Sequence, residues 1–135
     1  MEKILVNVGM TENNYSAHVI MGDGIAVATG KTFEELKRQM EEAVAFHLEG
    51  MNEDGDEIPA EFQSGYTLVY RFNPENLLQH YNGIFTNAAL ERLTGINQRQ
   101  LQRYASGASK PRREQSQKIE SALHHLGKEL LAVEL

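Results

Sequence analysis

The sequence predicts an α+β fold, in which a β-β-β-α-β domain over residues 1–72 is followed by an all-α domain over residues 73–135. Two observations support this prediction. The first half alternates short β-rich segments with turns around one long helical stripe, whereas the second half shows only helical spacing. Residues 1–72 also carry 5 basic and 13 acidic side chains, but residues 73–135 carry 8 basic and 6 acidic. Such a split indicates two modules with different partners.

The composition is that of an ordinary globular protein. Of the 135 residues, 41% are hydrophobic and none is cysteine, which excludes disulfides, thiolate zinc sites and a cysteine nucleophile. The net charge of -6 argues against nucleic acid when taken alone. No apolar run approaches the roughly 20 residues of a membrane span, and no signal-peptide pattern opens the chain. We therefore expect a cytoplasmic protein with no membrane partner.

The first domain is predicted to contain three strands, a helix and a fourth strand. The strands cover residues 2–9, 15–21, 25–29 and 66–72, separated by turn signals such as Gly22-Asp23-Gly24. Thr32 and Glu35 form a capping box at the start of the helix. Its apolar stripe has spacings of three or four residues and consists of Phe33, Leu36, Met40, Val44 and Leu48. We expect Gly50 to end this helix.

An acidic loop is predicted over residues 49–61, which contain no basic side chain. Such a loop can complement a basic protein. We predict that the contacts to this partner are Glu53, Asp54, Asp56, Glu57 and Glu61. The alternative is a solvated linker that aids solubility.

The second domain begins at Asn73-Pro74, where the proline suits the first position of a helix. Five short helices are predicted: around Leu77 to Tyr81, from Thr86 to Thr94, from Gln98 to Ser106, around Ile119 to Leu126, and a final turn after Gly127. The last apolar residues form either an interface with a second copy or part of the bundle core, and they are Leu126, Leu130, Leu131 and Val133.

The segment after Thr86 contains the most informative pattern of the chain. Gly95 permits a tight turn between two helices, and Ile96 follows it as an apolar anchor. Leu101 and Tyr104 are expected to face inward. The outward residues are rich in Arg and Gln, which read guanine and adenine edges in the major groove. The predicted DNA contacts are Asn97, Gln98, Arg99, Gln100, Gln102, Arg103, Ser106, Lys110, Arg112 and Arg113.

The order Gly-Ile-Asn-x-x-x-Leu-x-x-Tyr-x-x-Gly-x-x-x-Pro, from Gly95 to Pro111, resembles the Cro/repressor-like (Xre) helix-turn-helix family. The resemblance covers about residues 74–135. It implies that Gln98, Arg99, Gln100 and Arg103 face the major groove and that Asn97, Ser106 and Lys110 lie near phosphates. Glu91 departs from the family, which usually has a small residue there, and we expect it to widen the angle between the two helices.

Three motifs of the first domain resemble the HicB antitoxin family. They are Tyr15 on the second strand, the helix start Gly30-Lys-Thr-Phe-Glu-Glu35, and Ile58-Pro59 before the last strand. A second proline is missing because Glu61 stands there. The resemblance implies a partial RNase H-like first domain that binds and neutralises a small basic HicA-like toxin, an enzyme that cleaves mRNA. It also implies that the second domain, an all-α helix-turn-helix (Cro/repressor-like) domain, represses the chain's own operon by binding operator DNA.

The resulting interpretation is the antitoxin of a type II toxin–antitoxin system, with no enzymatic activity, catalytic residue, metal or cofactor. Repressors of this type usually act as a homodimer or higher homo-oligomer. One alternative is a stand-alone helix-turn-helix transcription regulator whose first domain senses a ligand or protein. The other is a metal-dependent nuclease, which needs a carboxylate on the first strand, where this sequence has Asn7. His124 and His125 are adjacent on a helix and point in different directions, so they do not form a metal site.

Overall fold

The computed structural model describes residues 1–135 and has a mixed α+β fold with one four-stranded mixed sheet and five α-helices. This confirms the predicted α+β class. The chain divides into two compact units, Met1–Asn73 and Pro74–Leu135. None of its helices combines the length and the apolar character that crossing a membrane requires.

The first unit contains the whole sheet and the longest helix. Its elements are β1 Glu2–Met10, β2 Tyr15–Met21, β3 Gly24–Gly30, α1 Phe33–Glu53, a short 3-10 helix Ala60–Phe62, and β4 Tyr66–Arg71. The strand order is β3-β2-β1-β4, with β1–β2 and β2–β3 antiparallel and β1–β4 parallel. Because parallel neighbours need a long crossover, α1 and the segment after it return the chain to the start of β4.

The core of this unit lies between α1 and one face of the sheet. Leu36, Met40 and Val44 of α1 are fully buried. They meet alternate residues of β1, β2 and β3, as expected for strands with one covered face. Gly30 allows the close approach of β3 to α1, since a Cβ at this position would lie 2.7 Å from the Leu36 nitrogen.

The start of α1 is the predicted capping box, but its end is not where the sequence places it. The Thr32 hydroxyl accepts a hydrogen bond from the Glu35 nitrogen at 3.1 Å. The helix continues through Gly50 to Glu53, so the expected stop at Gly50 is wrong. A glycine ends a helix when it adopts a positive φ, and Gly50 does not. The predicted 49–61 loop therefore begins only at Asp54.

The second unit is a small all-α bundle. Its helices are α2 Pro74–His80, α3 Asn87–Thr94, α4 Gln98–Ser106 and α5 Arg113–Leu131. Four helices replace the five that the sequence predicts, because α5 continues through Gly127. The glycine has no positive φ and therefore does not cap the helix. The core of the bundle consists of Leu78, Leu90, Ile96, Leu101, Tyr104 and Ile119.

The end of α5 does not belong to that core. Leu130 and Leu131 are 58% and 89% exposed, and Val133 just beyond the helix is 57% exposed. The alternative that Leu130, Leu131 and Val133 complete the bundle core is therefore wrong, whereas Leu126 is half-buried. Their place as an interface with a second copy stays a prediction.

Candidate functional site

The connection between α3 and α4 is fixed by local hydrogen bonds. The Thr86 hydroxyl caps α3 by accepting from the Ala89 nitrogen at 3.0 Å. Gly95 ends α3 in the left-handed conformation, with φ of 77°, and its nitrogen donates to the Glu91 carbonyl at 2.8 Å. The Asn97 side chain then caps α4 by accepting from the Arg99 nitrogen at 2.8 Å. Helix, turn and helix thus follow from residues at the predicted positions.

The two faces of α4 differ sharply in burial and chemistry. Leu101 and Tyr104 are 0% and 4% exposed and hold the helix against the bundle. On the other side, Arg99, Gln102 and Arg103 are exposed, as is Ser106 at the end of the helix. This arrangement follows from an apolar spacing of three residues in an otherwise polar helix.

Basic side chains continue from α4 into the segment before α5. Gly107 ends α4 with φ of 80°, and Lys110, Arg112 and Arg113 after it are exposed. None of these three residues takes part in an ion pair, and neither does Arg99 or Arg103. Their charge is therefore available to an anionic partner. We call α4 and residues 107–113 the basic surface.

Gln100, a predicted DNA contact on the basic surface, already forms a hydrogen bond within the protein. The Gln100 side chain is half-buried, and its Nε2 donates to the Ser109 hydroxyl at 3.3 Å. This bond joins α4 to the segment that follows it. Gln100 thus differs from Arg99, Gln102 and Arg103, whose exposed side chains form no hydrogen bond within the protein.

Glu91 forms a connection that sequence reasoning missed. Its carboxylate accepts from the Gln98 backbone nitrogen and from Gln98 Nε2, both at 3.3 Å. A wider angle between the helices, which its size predicts, stays a prediction, but the Glu91 side chain also bridges the turn between them. A signal was present, since an acid suits the first turn of the following helix. The bond was not predicted, because Glu91 and Gln98 are seven residues apart and lie on different helices.

The predicted partner contacts of the first unit lie on three different elements. Glu53 is the last residue of α1, and Asp54 is its C-cap. Asp56 and Glu57 follow in the loop, and Glu61 lies on the 3-10 helix. All five side chains are exposed. The structure therefore extends this acidic segment along the end of α1.

An exposed aromatic residue on α1 is a second feature that was not predicted from the sequence. Phe46 is 79% exposed, and Glu42, Glu49 and Glu53 follow the same line along the helix at spacings of three or four residues. None of the three carboxylates takes part in an ion pair. We call Glu42, Phe46, Glu49 and Glu53 the outer face of α1. The sequence indicates this face through Phe46, an aromatic residue that does not lie on the apolar stripe of α1.

The outer face also conflicts with the dipole of its own helix. The last turn of α1 contains no basic residue, although the C-terminal end of a helix carries a partial negative charge. Acids there are unfavourable by about 0.3–1 kcal/mol each. Glu53, which lies in this last turn, therefore stands where folding alone does not favour an acid.

No set of three or more His, Asp or Glu side chains is arranged to hold a metal ion. A comparison with protein families, curated proteins and solved structures finds no match for this chain. The basic surface and the outer face of α1 are thus the two features of the molecule that bear on its function.

Proposed function

We propose that this chain is a HicB-like antitoxin that also represses its own operon. In this proposal the first unit, with a partial RNase H-like fold, binds and neutralises a small basic HicA-like toxin that cleaves mRNA. The second unit uses α3 and α4 as a helix-turn-helix that places α4 in the major groove of operator DNA. The chain itself catalyses no reaction.

The basic surface is the observation that carries the proposal. Its Arg and Gln side chains are the types that make specific contacts with base edges. Its unpaired cations can displace counterions from phosphates, which drives protein–DNA association. The capped turn around Gly95 holds this helix rigidly by its apolar side, so that contacts on the other side keep a fixed geometry.

Support for the toxin-binding part comes from the first unit. The strand order β3-β2-β1-β4 with a parallel β1–β4 pair fits a partial RNase H-like domain. The outer face of α1 combines an exposed aromatic side chain with unpaired carboxylates. Aromatic residues dominate many interface hot spots, and a negative surface complements a basic protein.

The repressor is proposed to act as a dimer through α5. Leu126 and Leu130 lie four residues apart near the end of this helix, and Val133 follows just beyond it. Leu130 and Val133 are exposed. A dimer presents two α4 helices to half-sites one DNA turn apart, roughly 34–36 Å.

The DNA-binding part is tested by titrating the full chain against the duplex that lies upstream of its own gene. We expect specific retardation in a gel shift, and an affinity that falls steeply as salt rises because phosphate contacts release counterions. Equal binding to an unrelated duplex of the same length would contradict the repressor assignment.

The toxin-binding part is tested by co-expressing the chain with the product of the adjacent gene. We expect a small basic protein that co-purifies with this chain and that is toxic when expressed alone. If no such gene exists and a small ligand instead changes the DNA affinity, the stand-alone regulator is the correct function.

A further inference from the structure

We propose that Glu91 determines which base Gln98 accepts in the operator, by fixing the orientation of the Gln98 side-chain amide. The inference rests on the proposed DNA binding by α4. Glu91 is a positioning residue here, because it acts through Gln98 and does not itself contact a base.

The orientation follows from the chemistry of the two groups. A carboxylate only accepts hydrogen bonds, whereas the amide of glutamine has a donating nitrogen and an accepting oxygen. The Gln98 Nε2 must therefore face Glu91 Oε2, at 3.3 Å. The second bond, from the Gln98 backbone nitrogen to Glu91 Oε1, holds the carboxylate in place against the first turn of α4.

This arrangement leaves the amide oxygen of Gln98 without a partner in the protein. The Gln98 side chain is exposed and belongs to the first residue of α4. A free glutamine can turn its amide over and offer either a donor or an acceptor. The amide of Gln98 keeps one orientation, because the turned amide would place its oxygen against the Glu91 carboxylate.

The consequence is a preference for a base that donates in the major groove. Adenine and cytosine present an exocyclic amino group there, whereas guanine and thymine present carbonyl oxygens. Adenine also offers N7 to the second hydrogen of the amide. We therefore expect adenine first, and cytosine second, at the single operator position that Gln98 reaches.

The charge of Glu91 has a second, separate effect. A carboxylate beside α4 repels the DNA backbone whatever the base sequence is. Its neutralisation is therefore expected to strengthen binding to every duplex while it removes the discrimination at one position. These two effects have opposite directions and can be measured independently.

The test selects duplexes from a randomised pool with the full chain and with three variants, Gln98→Ala, Glu91→Gln and Glu91→Ala. Wild type should favour adenine or cytosine over guanine and thymine at one position by at least about fivefold. Both Glu91 variants should lose this preference at the same position as Gln98→Ala, with the other positions unchanged. The control is Glu120→Gln, which removes an equal charge from the exposed side of α5 and should keep the preference.

Three results would overturn the inference. They are an unchanged preference in Glu91→Gln, a loss of preference spread over several positions, and a wild-type preference for guanine or thymine where Gln98→Ala has its effect. A lower melting temperature of the Glu91 variants together with a spread-out loss would indicate a purely structural role. If wild type selects no sequence at all, the proposed repressor function fails, and this inference fails with it.

Discussion

The two units each present one exposed helix face with charge of a single sign, and the two signs are opposite. The outer face of α1 combines three carboxylates with Phe46, whereas α4 and the segment after it carry five cations. The net charge of -6 averages over both surfaces. Charge must therefore be compared face by face before it can exclude a partner.

The two faces differ in how well they suit their own helices. In α4 the last turn contains Arg103, whose charge agrees with the helix dipole. In α1 the last turn contains the acid Glu53 and no basic residue, and the Phe46 ring is 79% exposed. A local arrangement that folding does not favour is expected at functional sites. This difference fits the proposed function, in which a protein partner covers the outer face of α1 and DNA binds the exposed side of α4.

The largest effect is expected from the basic surface. The double substitution Arg99→Ala and Arg103→Ala should weaken operator binding by about 2–6 kcal/mol, since each good base contact contributes about 1–3 kcal/mol. That is a loss of roughly 30-fold to 10⁴-fold in affinity. Fluorescence anisotropy with labelled operator measures it.

The matched control removes two cations from α5 through Lys118→Ala and Lys128→Ala. Both side chains are exposed, so the net charge falls equally without a change in α4. We expect a small loss that vanishes at high salt. Equal losses of operator affinity in the two double variants would show that α4 contributes only general electrostatic attraction. The two units would then differ only in their net charge.

The next effect concerns the outer face of α1. Phe46→Ala should weaken the complex with the basic partner by about 2 kcal/mol or more, roughly 30-fold, as is typical of an aromatic hot spot. The melting temperature should stay unchanged, because the ring is 79% exposed. Isothermal titration calorimetry with the co-purified partner measures the loss.

Ile84→Ala is the control for Phe46, since Ile84 is a similarly exposed apolar residue, at 71%, in the other unit. It should leave the affinity for the partner unchanged. Full affinity in Phe46→Ala, with a loss of affinity in variants at Asp56 and Glu57, would contradict this prediction. It would show that the partner contacts the acidic loop predicted from the sequence and not Phe46.

Features that depend on neighbouring residues were predictable, and features that depend on backbone conformation or on turn geometry were not. The caps at Thr32, Thr86 and Asn97 need only side chains within three residues, and all three form. Glycines gave mixed results because the sequence does not reveal φ. Gly95 adopts a positive φ and ends its helix, whereas Gly50 does not and stays inside one.

The same distinction, between features set by neighbouring residues and features set by the path of the backbone, applies to the basic surface and to the outer face of α1. The exposed side of α4 was predictable, since burial of Leu101 and Tyr104 determines the opposite side. The bond from Gln98 to Glu91 was not, because it depends on the path of the chain through the turn. Phe46 was available to sequence reasoning: two residues from Val44, it lies about 200° around the helix from the buried stripe.

A third prediction is that alanine has opposite effects on stability at two glycines, Gly30, where β3 packs against α1, and Gly50, near the end of α1. Gly30→Ala should destabilise the protein by about 1–3 kcal/mol, since the new methyl group would meet the backbone of α1. Gly50→Ala should stabilise it by about 0.5–1 kcal/mol, because alanine is a better helix former than glycine. Apart from the neighbouring helix backbone, no atom lies within 4 Å of the added carbon. Urea unfolding measures both changes. Equal signs for the two variants would contradict the helix path through Gly50.

The smallest effect concerns Tyr70 of β4, whose hydroxyl donates to the Lys37 carbonyl of α1 at 3.4 Å. Burial, and next the negative charge of Glu41, raise the pKa of Tyr70 from 10.0 to about 12. Because the folded pKa lies above that of the unfolded chain, the stabilisation is complete below pH 10. It is lost as the pH rises through about 12. Tyr70→Phe should remove the tyrosinate absorbance step near pH 12 and reduce the loss of stability between pH 10 and 12. An unchanged absorbance titration in this variant would show that Tyr70 is not the residue held neutral between α1 and the sheet.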